Sequence, residues 1–519
     1  MLRNYINKII ISKIRKLIKI NKSLAISKNN NSLDFPILKI NIINSPIPDG
    51  IIRAQYNVGL STVTIVDDQY IINDPFISEE EKEQLEKISS QLLFSIPTSA
   101  LKDENLFRKY IEKLGVNNEV LYYFLRREIL GYGVYDVLIQ DDNIEDITAW
   151  PDGTTCNHKL FGSLKVNISM SESEFNKYIE RLVYLSGKSI SLHNPIISIR
   201  LPTNDRLTVT YSREVSDKPS FSIRKFPKQP WSITSIMMMK TISPEMAAWL
   251  MLLVKYKKAI LVCGPVGSGK TSLINALCSL IPADQIVVTC EDTPELKLAR
   301  QNWISLITRE SSTVEEEGEI RMFDLVKHAL RYPASYIIVG EIRGEEGRVW
   351  AQAIATGHGG ITSLHAETPE GAIERLKSDP INVAEGSLKE LSTIVIMKSL
   401  YIKNMGEKIK VKRVMGIYDI NSSIKPICLF KYNLESDSFI KVRDPFESNT
   451  ASKIMEFIPR EKLIEEYKLY TKFLQLLYLL GYKKPELTLH TKVTELVWKL
   501  YEYEDIPEEL LIPEVQLIE

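Results

Sequence analysis

Lys270 and Thr271 close the stretch Gly264-Pro-Val-Gly-Ser-Gly269-Lys270-Thr271, which fits G-x-x-x-x-G-K-[ST]. Residues of these types at this spacing bind phosphate. Gly264, Gly267 and Gly269 let the backbone close around an anion where a Cβ would clash. The backbone N–H groups of Ser268 to Ser272, at the start of a following helix, then face the phosphates. In such a loop Lys270 reaches the β- and γ-phosphates, and the Thr271 hydroxyl ligates Mg²⁺. The loop alone fits kinases, GTPases, transporters and motors alike.

The rest of the chemistry follows short apolar runs. Lys258-Ala-Ile-Leu-Val-Cys263 leads into the loop, and Gln285-Ile-Val-Val-Thr-Cys290 leads into Glu291. Ser335-Tyr-Ile-Ile-Val-Gly340 leads into Glu341, and Gly360-Ile-Thr-Ser-Leu364 leads into His365. Such runs, separated by helical segments, read as a mostly parallel sheet covered on both faces. Ligands bind at the carboxyl ends of such strands. The expected rim therefore holds Lys270, Thr271, Glu291, Glu341 and His365. A P-loop hydrolase needs one acid for Mg²⁺ or its water and one to orient the attacking water. Glu291 and Glu341 fit those roles. The usual magnesium-site strand ends in Asp, but here Gly340 holds that position and the acid comes one residue later.

The elements that must position these residues fall into six stretches. Residues 1–33 carry eight Lys and Arg and no acid, with apolar residues on one helical face, as in a membrane-surface or partner-binding helix. Residues 34–125 read as β followed by helix, and 126–227 as a small α+β domain. Prolines 219, 227 and 230 mark a hinge, set at residues 228–242. Residues 243–415 form the α/β core, and 416–519 a mostly helical C-terminal region with an acidic end.

Bulk composition narrows the classes. The 519 residues suffice for two to four domains, each with its own core. A net charge of −1 gives no global pull toward nucleic acid. The five cysteines form no C-x-x-C pair, which speaks against a zinc ribbon and for a reducing compartment. No apolar run approaches membrane-spanning length, and no signal peptide is read at the N-terminus.

Three further segments carry a resemblance. Glu291-Asp-Thr-Pro-Glu-Leu296, Val339-Gly-Glu-Ile-Arg343 and Thr356-Gly-His-Gly-Gly-Ile-Thr-Ser-Leu-His-Ala366 resemble, in order, the Asp box, atypical Walker B and His box of the secretion ATPases. That family drives type II secretion, type IV pilus and archaellum assembly, and the related type IV secretion machines. The resemblance runs over roughly residues 125–415 and takes in Gly131–Ile147, Arg200–Leu207 and Ser222–Phe226. The tetracysteine zinc insert of many bacterial type II enzymes is absent, which, with Arg224-Lys-Phe226 and Glu291–Leu296, looks more like the archaeal pilus and archaellum branch. One segment departs: Leu330-Arg-Tyr-Pro-Ala-Ser335 lacks the second arginine of the family's Leu-Arg-x-Arg-Pro-Asp.

The resemblance implies a RecA-like core behind a smaller α+β N-terminal domain, assembled as a homohexamer. It implies ATP and Mg²⁺, bound by Gly264, Gly267, Ser268, Gly269, Lys270, Thr271 and Ser272, with Thr271 and Glu291 toward the metal. It makes Glu341 the water-activating acid, Glu291 its assistant and His365 the γ-phosphate sensor with His358 nearby. It makes Arg206 and Arg224 arginine fingers from the N-terminal domain. The expected setting is the cytoplasmic face of the cell membrane, against a polytopic platform protein. The basic segment would touch acidic lipid or that platform, and no nucleic acid is expected. Two alternatives stand beside this one: a DNA-translocating ATPase, and a nucleotide-gated scaffold that does not hydrolyse.

Overall fold

The computed structural model describes residues 40–511 apart from 98, 102, 227–228, 310–317 and 405–406. The basic segment expected over residues 1–33 lies outside the described residues. The chain divides into two compact units, the first ending at Phe226.

The first unit is built on one nine-stranded sheet. Its strands run, edge to edge, Ile52–Val58, Ser61–Val66, Gln69–Asn73, Gly162–Val166, Gly153–His158, Ile144–Trp150, Ser220–Arg224, Arg206–Thr210 and Ile196–Arg200. The Gln69–Asn73 strand pairs in parallel with Gly162–Val166. Residues on either side of 125/126 therefore share a sheet, and that boundary does not separate two domains. The helix Glu172–Leu185 begins with a Ser171/Glu174 capping box and buries Phe175, Ile179, Leu182 and Val183 against the sheet core. The Phe175 and Phe221 rings stack there at 5.5 Å.

The second unit carries the P-loop. Its sheet runs Trp303–Ile307, Val287–Glu291, Tyr336–Val339, Gly359–Leu364, Ala259–Cys263, Leu391–Asn404, Glu407–Ile420, Pro426–Asn433 and Ser438–Lys441. The first six are parallel and the last three antiparallel. This is a RecA-like order, in which the P-loop strand is separated from the Glu291 strand by two others. Alternation along Ala259–Cys263 sends Ile260 and Val262 to one core and Ala259, Leu261 and Cys263 to the other. Helices cover both faces, as all-parallel strands require.

The helices Pro244–Lys255, Lys270–Cys278, Arg460–Gly481 and His490–Tyr503 share one core. Met322–Ala329, Glu346–Ala355 and Pro369–Lys377 line the other. Residue 415, expected to end the core, lies inside the Glu407–Ile420 strand. The sheet continues past it because Val414, Ile417, Leu429 and Phe430 are buried in the same core as those helices. The stretch expected as a linker, 228–242, contains the buried helix Ile233–Met238, capped by Ser232. All cysteines at described positions are free, and four of the five are buried. Among the described residues, no helix is long and apolar enough to cross a membrane.

Candidate nucleotide-binding and catalytic site

The loop leaves the buried strand Ala259–Cys263 and enters the helix Lys270–Cys278. Gly269 begins that helix at φ 94°, a left-handed conformation that favours glycine. The helix has no side-chain cap. Its first N–H groups, which a Ser or Asp would elsewhere satisfy, are thus left for an anion. Gly264 is required for a different reason. A Cβ there would lie 2.4 Å from Met397 O and 2.6 Å from Ser268 Oγ. Ser399 Oγ donates to Gly267 O at 3.0 Å, so the long strand Leu391–Asn404 braces the loop from the side.

Lys270 is 8% exposed, and its Nζ donates to Gly264 O at 3.0 Å and Pro265 O at 3.2 Å. Burial pushes its ammonium below the ordinary lysine value, opposed by the Glu341 carboxylate. The same Nζ lies 3.3 Å from His365 Nδ1. An ammonium has only protons to give, so Nδ1 accepts and Nε2 carries the ring proton. His365 Nε2 in turn sits 2.7 Å from Glu341 Oε1. That Oε1 has no hydrogen-bond partner, so the pair is within ion-pair distance with the N–H off line. Burial, and then the positive Lys270, lower the His365 pKa, which keeps the ring neutral near pH 7.

Glu341 Oε2 accepts from Arg343 Nη2 at 2.7 Å. That bond raises the Arg343 pKa, and Arg343 Nη1 also stands 3.8 Å from Asp292 Oδ2. Glu291 ends its strand 2% exposed, its Oε1 accepting from Glu295 N and Leu296 N, both at 2.9 Å. The glycine in the usual Asp position now has a physical reason. A Cβ on Gly340 would press on Glu291 Cγ at 3.3 Å. Ser363 Oγ donates to Gly340 O at 2.7 Å, and Ile342 N donates to Ser363 O at 2.9 Å. These bonds pin the two strand ends that carry Glu341 and His365.

The structure thus places Lys270, His365 and Glu341 in contact, with Glu291 behind Gly340. Thr271 and Ser272 follow on the first turn of the helix, both half-buried. His358 is a correction. It precedes the strand Gly359–Leu364 that His365 follows, and six residues of strand span about 20 Å. Its Nδ1 lies 3.1 Å from Ala353 O and 3.1 Å from Thr356 Oγ1, at the end of the helix Glu346–Ala355. It caps a helix at the opposite end of the sheet from the loop of its own chain. The glycines beside it serve packing: a Cβ on Gly359 would enter the Tyr336 ring, and one on Gly360 would strike Ile354.

Arg206 and Arg224 belong to the first unit and are cross-strand partners there. Arg206 Nε donates to Ser198 Oγ at 3.2 Å, and Arg224 Nε to Asp146 Oδ1 at 2.9 Å. The residues missed from sequence were Arg343, Ser363 and Asn275. Arg343 stood in the quoted Walker B segment, and its spacing of two from Glu341 was the available signal.

The residues present fit phosphate and Mg²⁺. Ser268 Oγ is buried beside Gly264 with no hydrogen-bond partner, and Lys270 rests on the loop's own carbonyls. Among the described residues, no three His, Cys, Asp or Glu side chains gather as a metal cage. Mg²⁺ in nucleotide sites takes one or two carboxylates plus substrate phosphates, so Thr271 and Glu291 supply suitable oxygen donors.

Comparison with known proteins follows the same residues. Positions 172–414 match the family described as Type II/IV secretion system protein, a span that holds the loop, both acids, His365, Arg206 and Arg224. An uncharacterized protein of Methanocaldococcus jannaschii is 33% identical over 372 residues, which is 69% of this chain and 67% of that protein. A second uncharacterized protein of that organism is 39% identical over 247 residues, 47% of this chain and 90% of that protein. The type IV secretion system protein VirB11 of Brucella suis is 30% identical over 241 residues, 41% of this chain and 66% of that protein. The two archaeal relatives agree with the archaeal character expected from the absent zinc insert. On the matched span, the RecA-like sheet and the shifted acid after Gly340, the chain belongs to the type II/IV secretion system protein family.

Proposed function

We propose that this protein is a Mg²⁺-dependent ATPase that works as a homohexameric motor for pilus-type filament assembly or protein secretion. One observation carries the reading: Lys270, His365 and Glu341 form a contiguous chain at the phosphate loop, 3.3 Å and 2.7 Å between successive polar atoms. Lys270 meets the β- and γ-phosphates once they displace the loop carbonyls that now hold it. Glu341 holds a carboxylate oxygen without a hydrogen-bonded proton, the group needed to orient an attacking water. His365, neutral and flanked by Lys270 and Glu341, is placed to sense the γ-phosphate beside the acid. Thr271 and Glu291 would hold Mg²⁺, which would neutralise phosphate charge.

The resemblance to secretion ATPases gives Arg206 and Arg224 the part of arginine fingers, which stabilise transition-state charge. The ring would stand at the inner face of the cell membrane against a membrane platform protein. The resemblance to secretion ATPases supports this, as does the name of the VirB11 relative. The purified chain is expected to hydrolyse ATP only with Mg²⁺, and Lys270→Ala to lose both nucleotide affinity and turnover. Wild-type turnover in Lys270→Ala would remove the loop from the mechanism.

A further inference from the structure

Asn275 sits in the P-loop helix five residues after Lys270, 5% exposed. Asparagine is a weak helix former, and its buried amide must be satisfied. Its Nδ2 donates to Glu295 O at 3.1 Å, and its Oδ1 accepts from Lys297 N at 3.0 Å. The two groups flank Leu296, so the side-chain amide pairs with this segment as a residue of a parallel strand would. From the other side, Glu295 N and Leu296 N both donate to Glu291 Oε1 at 2.9 Å. The same three residues are therefore gripped by Asn275 and in turn hold the acid. Behind Asn275, the buried His490 brings Nε2 to 3.1 Å from Asn275 O, at the start of the helix His490–Tyr503.

We propose that Asn275 is a positioning residue for Glu291. It ties the acid to the P-loop helix as well as to its own strand, so that the carboxylate follows the helix when phosphate enters the loop. His490 fixes the outer end of the link and gives the C-terminal helix a place in the site. Only an asparagine offers one donor and one acceptor at this reach. Aspartate loses the donor, and leucine keeps the shape and loses both. The proposal rests on the reading of Glu291 as an acid of ATP hydrolysis.

The test uses the full chain as wild type, Asn275→Leu, Asn275→Asp, Glu291→Gln and the Asn275→Leu/Glu291→Gln double variant. Turnover is measured with MgATP, and amide hydrogen exchange is followed over residues 292–298 without nucleotide. Asn275→Leu is expected to lower kcat by about 10–100-fold, the usual effect of an outer-shell partner. Its KM should shift by less than about threefold, since ground-state binding is left intact. The amides of residues 295–297 should exchange faster, and the double variant should be no slower than Glu291→Gln alone. Asn275→Asp keeps the bond from Lys297 and loses that to Glu295; it should lose kcat in the same direction and serves if the leucine variant does not fold. Wild-type turnover in a folded Asn275 variant overturns the proposal, as do losses that multiply in the double variant. If Glu291→Gln alone turns over normally, the role of Glu291 falls and the proposal with it. Exchange at residues 295–297 then still reads whether Asn275 holds the segment, which separates the two failures.

Discussion

Gly264 has no room for a side chain, since a Cβ would meet Met397 O at 2.4 Å and Ser268 Oγ at 2.6 Å. Met397 O is backbone of the adjoining strand, and Ser268 Oγ is buried on the loop itself. Gly264→Ala is therefore expected to destabilise the second unit by about 1–3 kcal/mol, the usual cost of overpacking. Urea unfolding measures the loss, and calorimetric titration with ADP should show weakened binding beside it. At this scale the sequence was legible where a residue type has one chemical use: Lys270, Thr271, Glu341 and His365 all reach the rim. Asn275 was not legible, because a polar residue inside a helical run has no signal until its partners at Glu295 and Lys297 are placed. His358 misled because its motif spacing is one strand long, which puts the two histidines at opposite ends of the sheet.

The strands that carry the site were readable as apolar runs, and the observed bounds differ from the expected ones by a residue or two. The antiparallel extension was not. Residues 408–412 alternate Lys with Ile and Val, a pattern that reads as a half-buried strand but does not name its neighbour, which is Leu391–Asn404. The C-terminal helices offered no motif, yet Leu474, Leu477, Val493, Leu496 and Val497 share one core with the P-loop helix residues Leu273, Ile274 and Leu277. His490 adds a titration to that contact. Burial holds its pKa below the ordinary histidine value, with the Asn275 carbonyl opposing. As pH falls, the unfolded chain takes up this proton before the folded one. Stability from this group is full above about 6.5 and declines as pH drops through that value toward the folded pKa. His490→Gln, which keeps a donor for Asn275 O, should flatten the fall in melting temperature between about pH 7 and pH 5.5. An unchanged slope would place the acid sensitivity elsewhere.

The whole molecule has two units, each with its own nine-stranded sheet. The site described above lies in the second, while Arg206 and Arg224 lie in the first. The account therefore predicts that Arg206→Ala or Arg224→Ala lowers kcat by at least about 10²-fold, because an arginine on the transferring phosphate contributes 10³–10⁵. Nucleotide affinity should change little, and steady-state kinetics beside fluorescent ADP binding would separate the two effects. The central claim is that Glu341, one residue past the usual acid position, orients the attacking water. It is tested most directly by comparing ATP binding and hydrolysis in wild type and Glu341→Gln. The account predicts wild-type ATP affinity with hydrolysis reduced by about 10²-fold or more. Hydrolysis at the wild-type rate in Glu341→Gln would contradict it.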